Sequence, residues 1–325
     1  MTWRNTSLAR RLGTRLPIVQ APMAGGWTPP ELVAAVCEAG ALGFVAGAVS
    51  TPDQLRELIR AVRSLTAQPF GVNLFAPLPP PSKSRVDSWA RVSGLEEPPP
   101  PRATPRFDDQ LAIVIEERVP VFSFTFGLAP LEGFDGFTMG TATTVAEAVA
   151  LQEAGVDAVV AQGYEAGGHR GTFLAPVEES LVGTVTLVPQ VVDAVSVPVV
   201  ASGGIMDGRG VAAALALGAD AVQLGTAFLA SDEAGTGEAY RRSLGADTTI
   251  TRVLTGRPAR AVRTPAVERL EASGEEPPDY PLPRSFLSEP PMLVGQGGAM
   301  ARSLPAGQIV ADLERQTTSV IEALR

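Results

Sequence analysis

The chain has 325 residues, 45% of them hydrophobic, which is enough to bury one large core, and α/β barrels of this length commonly form a single unit. Its 26 Lys and Arg against 35 Asp and Glu leave a net charge of −9, which repels a phosphate backbone and argues against nucleic acid as a partner. One cysteine and one histidine exclude an internal disulfide framework and leave zinc chemistry short of ligands.

The basic start, Arg4 to Arg15, runs into no long apolar stretch. No later segment offers the roughly 20 uninterrupted apolar residues of a membrane span. A cytoplasmic protein without a membrane partner is expected. Eight β-rich runs then alternate with helical patterns: Pro17 to Ala24, Ala41 to Ala48, Pro69 to Ala76, Val121 to Gly127, Phe137 to Thr143, Asp157 to Gly163, Pro198 to Gly204 and Ala221 to Ala230. The intervening segments carry helix start signals, such as Thr51-Pro52-Asp53 ahead of Leu55, Leu58, Ile59 and Val62. Glycines suited to the left-handed cap follow them, as at Gly40, Gly155 and Gly218. Eight strand and helix units predict a (β/α)8 TIM barrel over residues 1–250, in preference to an open doubly wound sheet.

Two stretches break the rhythm, Ala76 to Arg106 after the third run and Arg257 to Pro291 after the eighth, and they hold more than half of the 29 prolines. Proline at that density predicts neither helix nor central strand. The first insertion, 76–106, follows the C-terminal end of a strand, so a lid over the catalytic face and a plain surface loop are both readings of it. Residues 251–325 are expected to form an extension packed on the barrel, ending in an amphipathic helix over Gln308 to Leu324 that carries Ile309, Leu313, Val320, Ile321 and Leu324.

The chemistry gathers at the strand ends. Gly203 and Gly204 close the seventh run, and Gln223, Leu224, Gly225 and Thr226 lie in or after the eighth, where barrels build phosphate sites from close backbone N–H groups. The sixth run leads into a loop holding Gly163, Gly167, Gly168, His169, Arg170 and Gly171. A histidine between flexible residues on that face suits proton exchange near neutral pH, whereas Arg170 fits either an anion or a salt bridge with Glu165 or another loop acid. Ala21, Pro22 and Met23 after the first run, Asn73 in the third, and the amides of Gln162 and Gln223 offer the paired donors and acceptors that the edge of a flat heterocycle needs. Satisfaction of loop backbone is the alternative use of those amides.

The segments PIVQAPMAGG, GVNLF, AQGYEAGGHRG, VVASGGI and QLGTAF, in this order, resemble the nitronate monooxygenases, formerly called 2-nitropropane dioxygenases. The resemblance covers roughly residues 15–230, with GQGGAMAR at Gly295 to Arg302 similar to the family's C-terminal Gly-Gln element. It implies a barrel with non-covalent FMN at the strand C-termini. The contacts it implies are Ala21, Pro22, Met23, Asn73, Gln162, Gly167, Gly168, Gly203, Gly204, Gln223, Leu224, Gly225 and Thr226. His169 becomes the catalytic acid/base, and the reaction implied is oxidation of alkyl nitronates by molecular oxygen, with a nitronate or nitroalkane as the small-molecule partner and room for a homodimer. In SFTFG this chain has Thr125 where some members carry histidine.

Competing readings remain at this stage. A flavin-dependent NAD(P)H reductase of quinones or enoyl thioesters shares the glycine loops. A barrel of the IMP dehydrogenase type needs a nucleophilic strand-end cysteine, whereas Cys37 falls within a helix pattern, Glu31 to Ala39. An aldolase needs a strand lysine, and the one lysine, Lys83, sits in the first proline-rich insertion. A non-catalytic binding protein would hold its ligand without turning it over.

Overall fold

The structure is a computed structural model that describes residues 3–101, 105–288 and 290–325. Eight parallel strands carry the fold: β1 (Ile18–Gln20), β2 (Phe44–Ala46), β3 (Gly71–Phe75), β4 (Val121–Thr125), β5 (Phe137–Ala142), β6 (Ala158–Gln162), β7 (Val199–Ser202) and β8 (Ala221–Leu224). From β2 to β8 each strand pairs with the next, and β8 pairs with β1. A parallel bridge between Val19 and Leu42 joins β1 to the start of the β2 segment, so the ring closes as a (β/α)8 barrel.

Alternation along the strands explains the closure. Val19, Phe44, Val121, Met139, Val160, Val200 and Ala221 point to one another and fill the interior. Their neighbours Ile18, Val45, Phe122, Val159, Val199 and Val222 point outward into the layer shared with the helices. The short helix Ser7–Leu12, capped by the Thr6 hydroxyl, adds Leu8 and Leu12 to the interior cluster. The helix start read at Thr51 is a full capping box with Gln54, and Gly40, Gly155 and Gly218 take positive φ.

The strands end earlier than the β-rich runs. Ala21 to Ala24 after β1 and Gly225 to Ala230 after β8 leave the ladder, because their backbone turns across the barrel mouth; Thr226–Phe228 is a 3-10 turn. The eight-unit pattern is also incomplete. Between β4 and β5 the chain crosses through residues 126–136 without a helix, consistent with Gly127, Pro130, Gly133 and Gly136 in that span. The terminal helix, Ala306–Ala323, packs against the helices Pro30–Glu38 and Gly208–Ala216 and completes the outer ring. Of its expected apolar face Ile309 and Leu313 are buried, while Leu324 is exposed beyond the end of the helix.

Both proline-rich stretches contain helix after all, in windows free of internal proline: Val86–Val92 in the first, and Pro265–Ala272 in the second, where the one proline occupies the tolerated first position. Trp89 of the first insertion is buried among Val253, Leu254, Ala261, Val267 and Leu270. Arg85 donates to Glu276 and to the Pro277 carbonyl. The insertion therefore acts as a bracket for the C-terminal residues. An antiparallel sheet of three strands runs Thr248–Thr251, Ala259–Val262, Gly168–His169, so the second of these joins the extension to the β6 loop. The 250/251 boundary falls within its first strand.

Candidate active site

A pocket opens at the C-terminal ends of the strands, and Ala21, Pro22, Met23, Asn73, Gln162, Gly167, Gly168, His169, Gly203, Gly204, Gln223, Leu224, Gly225 and Thr226 all line it. Sequence separation hides this convergence; barrel closure creates it, since β1 lies beside β8 and β6 beside β7.

The β6 loop is built tightly. Glu165 accepts from the Thr184 backbone N–H at 2.9–3.0 Å and from its hydroxyl at 2.8 Å. Gly167 meets Gly295 backbone to backbone: a Cβ on Gly167 would stand 2.5 Å from the Gly295 nitrogen, so only glycine fits. Gly295 N–H donates to Thr226 Oγ1 and Gln296 N–H to the Glu165 carbonyl, tying the GQGG element across the ends of β6 and β8.

His169 is held more firmly than a glycine-rich loop predicts. It pairs with Ala259 across the small sheet, and Arg170 N–H donates to the Pro258 carbonyl. Its ring sits among Phe126, Tyr280 and Phe75, with centroids 5.5, 5.5 and 6.1 Å away. Its Nε2 lies 3.0 Å from the Thr255 hydroxyl. Burial first, then the charges of Arg257 and Arg284, push its pKa down to about 3, so the imidazole is neutral near neutral pH. Phe126 reaches this position with a φ of 83°, a left-handed conformation unusual for a bulky residue, directly after β4. The Arg257 guanidinium covers its ring at 4.1 Å.

Arg170 serves neither role open to it in the sequence. It is fully buried and spends its two terminal nitrogens on the carbonyls of Gln162, Gly163 and Ser180 and on the Gln162 side-chain oxygen, fixing the loop from beneath. Desolvation lowers its pKa to about 10, which leaves it charged. Gln162 is likewise largely occupied: its oxygen accepts from Gly171 N–H and Arg170, and its amide donates to the His169 carbonyl. Asn73 donates to Ser123 Oγ at 2.9 Å, and the Thr125 and Thr141 hydroxyls meet at 3.3 Å.

Sequence reasoning missed Thr255, Tyr280 and Arg284, which line the pocket from the extension. Arg284 is the one lysine or arginine among the described lining residues, and its charge opposes the desolvation that raises the Tyr280 phenol. No local signal marks them: Thr255 stands just before the second proline-rich stretch, and within that stretch proline density reports the lack of regular structure and not what the segment packs against. Cys37 is a buried core thiol, pushed up to about 11 by desolvation, and lies outside the pocket.

The donor set suits a phosphorylated planar group. The N–H groups of Gly203 and Gly204 make no hydrogen bond within the described chain, and the Gln223 side-chain amide has no partner there. Among the described residues no cluster of three or more His, Cys, Asp or Glu could hold a metal ion, and no helix is long and apolar enough to cross a membrane.

A closed α/β barrel with such a pocket at its strand C-termini defines an enzyme architecture. The nitronate monooxygenase family model matches residues 7–318, and the chain belongs to that flavin-dependent oxidoreductase family. It is similar to a probable nitronate monooxygenase of Staphylococcus saprophyticus, at 41% identity over 86% of this chain and 84% of that protein. A probable nitronate monooxygenase of Staphylococcus aureus is 38% identical over 98% of this chain and 99% of its own length. Among solved structures, nitroalkane oxidase from Streptomyces ansochromogenes superposes with a TM-score of 0.89 at 40% identity, covering 98% of this chain and 100% of that one. FabK from Thermotoga maritima superposes with a TM-score of 0.77 at 32% identity, covering 99% and 98%.

Proposed function

We propose that this enzyme holds FMN in the barrel-mouth pocket and oxidises alkyl nitronates, such as propionate 3-nitronate, with molecular oxygen to the carbonyl compound plus nitrite or nitrate. The observation that carries the reading is the convergence of His169, the unpartnered Gly203 and Gly204 amides and the free Gln223 amide on one pocket. Gly203, Gly204, Gly225 and Thr226 would hold the phosphate, and Ala21, Pro22, Met23, Asn73, Gln162, Gly167, Gly168, Gln223 and Leu224 the flavin body. The bound flavin supplies electron acceptance from the substrate and transfer to oxygen.

The chain's own residues do the rest. Neutral His169 takes the acidic carbon proton of a nitroalkane, or donates a hydrogen bond to a nitronate that already lacks it. Arg284 places a positive charge beside the same pocket and offsets the anion. Phe75, Phe126 and Tyr280 line or back the histidine with apolar surface that limits water.

A second reading, an FMN-dependent NAD(P)H reductase of quinones or enoyl thioesters, is favoured by the likeness to FabK. Anaerobic stopped-flow mixing separates the two. Reduction of the flavin by propionate 3-nitronate, with slow or no reduction by NADH and NADPH, is the expected result; rapid bleaching by NAD(P)H alone supports the reductase. A protein that stays colourless after FMN reconstitution sinks both. His169→Ala is expected to keep FMN and to lose turnover of neutral nitroalkanes more than that of nitronates.

A further inference from the structure

The Thr255 hydroxyl has three neighbours: His169 Nε2 at 3.0 Å, the Arg257 carbonyl at 3.1 Å and the Arg257 N–H at 3.4 Å. A hydroxyl owns one proton and two lone pairs. The Arg257 N–H can only donate, so it occupies one lone pair; the Arg257 carbonyl can only accept, so it takes the proton. What remains for His169 is a lone pair. Were the hydroxyl instead turned toward Nε2, the Arg257 carbonyl would face the threonine oxygen with no hydrogen between them. That carbonyl has no other donor among the described residues.

We infer that Thr255 is a positioning residue that fixes His169 as the Nε2–H tautomer and so reserves Nδ1 as the atom that exchanges protons with substrate. Nδ1 has no partner among the described residues, whereas Nε2 is spent on Thr255. The three aromatic neighbours prevent the ring from rotating to exchange its nitrogens. The extension thus supplies both the strand that pairs with His169 and the hydroxyl that orients it. The inference rests on His169 being the acid/base of the proposed reaction. In that step the nitroalkane C–H bond breaks, the proton forms a bond to Nδ1, and the electron pair moves onto the nitro group to give the nitronate. The positive charge gained by the ring strengthens Nε2–H donation to Thr255 Oγ1, whose own proton stays on the Arg257 carbonyl.

Because the chain has a single histidine, its imidazole is the only one in the spectrum of the 15N-histidine-labelled holoenzyme, and two-bond 1H–15N correlation reads its tautomer directly. A protonated-type Nε2 and an unprotonated Nδ1 are expected. The reverse pattern overturns the assignment whatever the enzyme's substrate, while failure of nitronate to reduce the flavin would overturn the function and leave this reading of the ring intact. In Thr255→Val the spectrum is expected to show the Nδ1–H form or a mixture, with kcat for a neutral nitroalkane falling about tenfold and KM little changed. Thr255→Ser is expected to restore the tautomer and most of the rate. A valine variant that keeps both the wild-type pattern and the rate, or a serine variant that restores neither, refutes the role of the hydroxyl.

Discussion

Tyr280 stands edge-on to His169, ring centroids 5.5 Å apart and planes at 90°, although one comes from the proline-rich extension and the other from the loop after β6. Tyr280 also contacts Phe126 and Phe75 at 6.0 and 6.1 Å, so a single residue of the extension closes the aromatic wall around the histidine. Burial pushes its phenol pKa up, which keeps it neutral. Tyr280→Phe, which preserves the ring, is expected to retain most activity. Tyr280→Ala opens the wall to water and should lower kcat/KM by about tenfold, in line with the small energies of aromatic pairs. Steady-state kinetics of both variants check this, and equal losses would assign the effect to the hydroxyl.

The depressed pKa of His169 makes stability depend on acid. The folded value is about 3 and the ordinary value 6.5, so between these pH values the unfolded chain binds the extra proton. The contribution of the half-buried neutral ring is complete above 6.5 and declines as pH falls through that window. Thermal unfolding followed from pH 7 to pH 4 should therefore show a shallower fall for His169→Asn than for the wild-type protein. Parallel slopes would mean that the ring is hydrated in the folded state.

How far the sequence carries this reading depends on the range of the interaction concerned. The barrel and its strand-end glycines are legible because strand periodicity, caps and glycine turns are local chemistry, and the residues named for the site do share one pocket. The immobilisation of His169 is not legible. It requires Thr255 to reach Nε2 from just before the second proline-rich stretch, and Ala259 to pair across a small sheet and Tyr280 to meet the ring edge-on from within it, where the prolines suggest only the absence of regular structure. Arg170 misleads for a related reason: an arginine in a glycine-rich loop looks available to an anion, yet its guanidinium is turned inward onto three carbonyls.

Gly167 offers a test of the backbone seam between the β6 loop and the GQGG element. A methyl group there would meet the Gly295 nitrogen at 2.5 Å and the Val294 carbonyl carbon at 2.7 Å, and neither can move without breaking the Gly295 bond to Thr226. Gly167→Ala should weaken flavin retention at least tenfold, an overpacking cost of about 1–3 kcal/mol at the site. Gly274→Ala is the control, because it carries a positive φ but would meet nothing within 4 Å, so only backbone strain is added. Flavin titration by fluorescence quenching distinguishes them; similar affinities in the two variants would show that the seam yields.

Glu147 is fully buried and its carboxylate accepts from the Thr143 N–H and hydroxyl at 2.7 Å, from the Thr172 hydroxyl at 3.0 Å, and from the N–H groups of Phe173 and Leu174. It thereby pins the chain that follows His169 to the end of β5. Glu147→Gln keeps the shape but exchanges an acceptor oxygen for an amide that faces other donors, with an expected loss of about 3 kcal/mol in stability. Denaturant unfolding measures the loss directly, and a change below 1 kcal/mol would show that the loop needs no such anchor.

The remaining test acts on the site from a residue that never touches it. Trp89, in the first proline-rich insertion, is 1% exposed and packs on Val253, Leu254, Ala261, Val267 and Leu270, the residues that surround the strand paired with His169. Removing its ring leaves a cavity beneath that strand, and Trp89→Ala should cost about 3–5 kcal/mol of stability. Because the barrel has its own interior cluster and helix layer, the loss should fall first on the extension, giving a variant that retains its barrel circular dichroism while turnover drops. Trp89→Phe fills most of the volume and should recover much of the activity. Hydrogen exchange localises the effect: faster exchange at Ala259–Val262 with β3–β6 unchanged is the expected pattern, and uniform acceleration across the barrel strands would instead make the insertion part of one cooperative unit with the barrel.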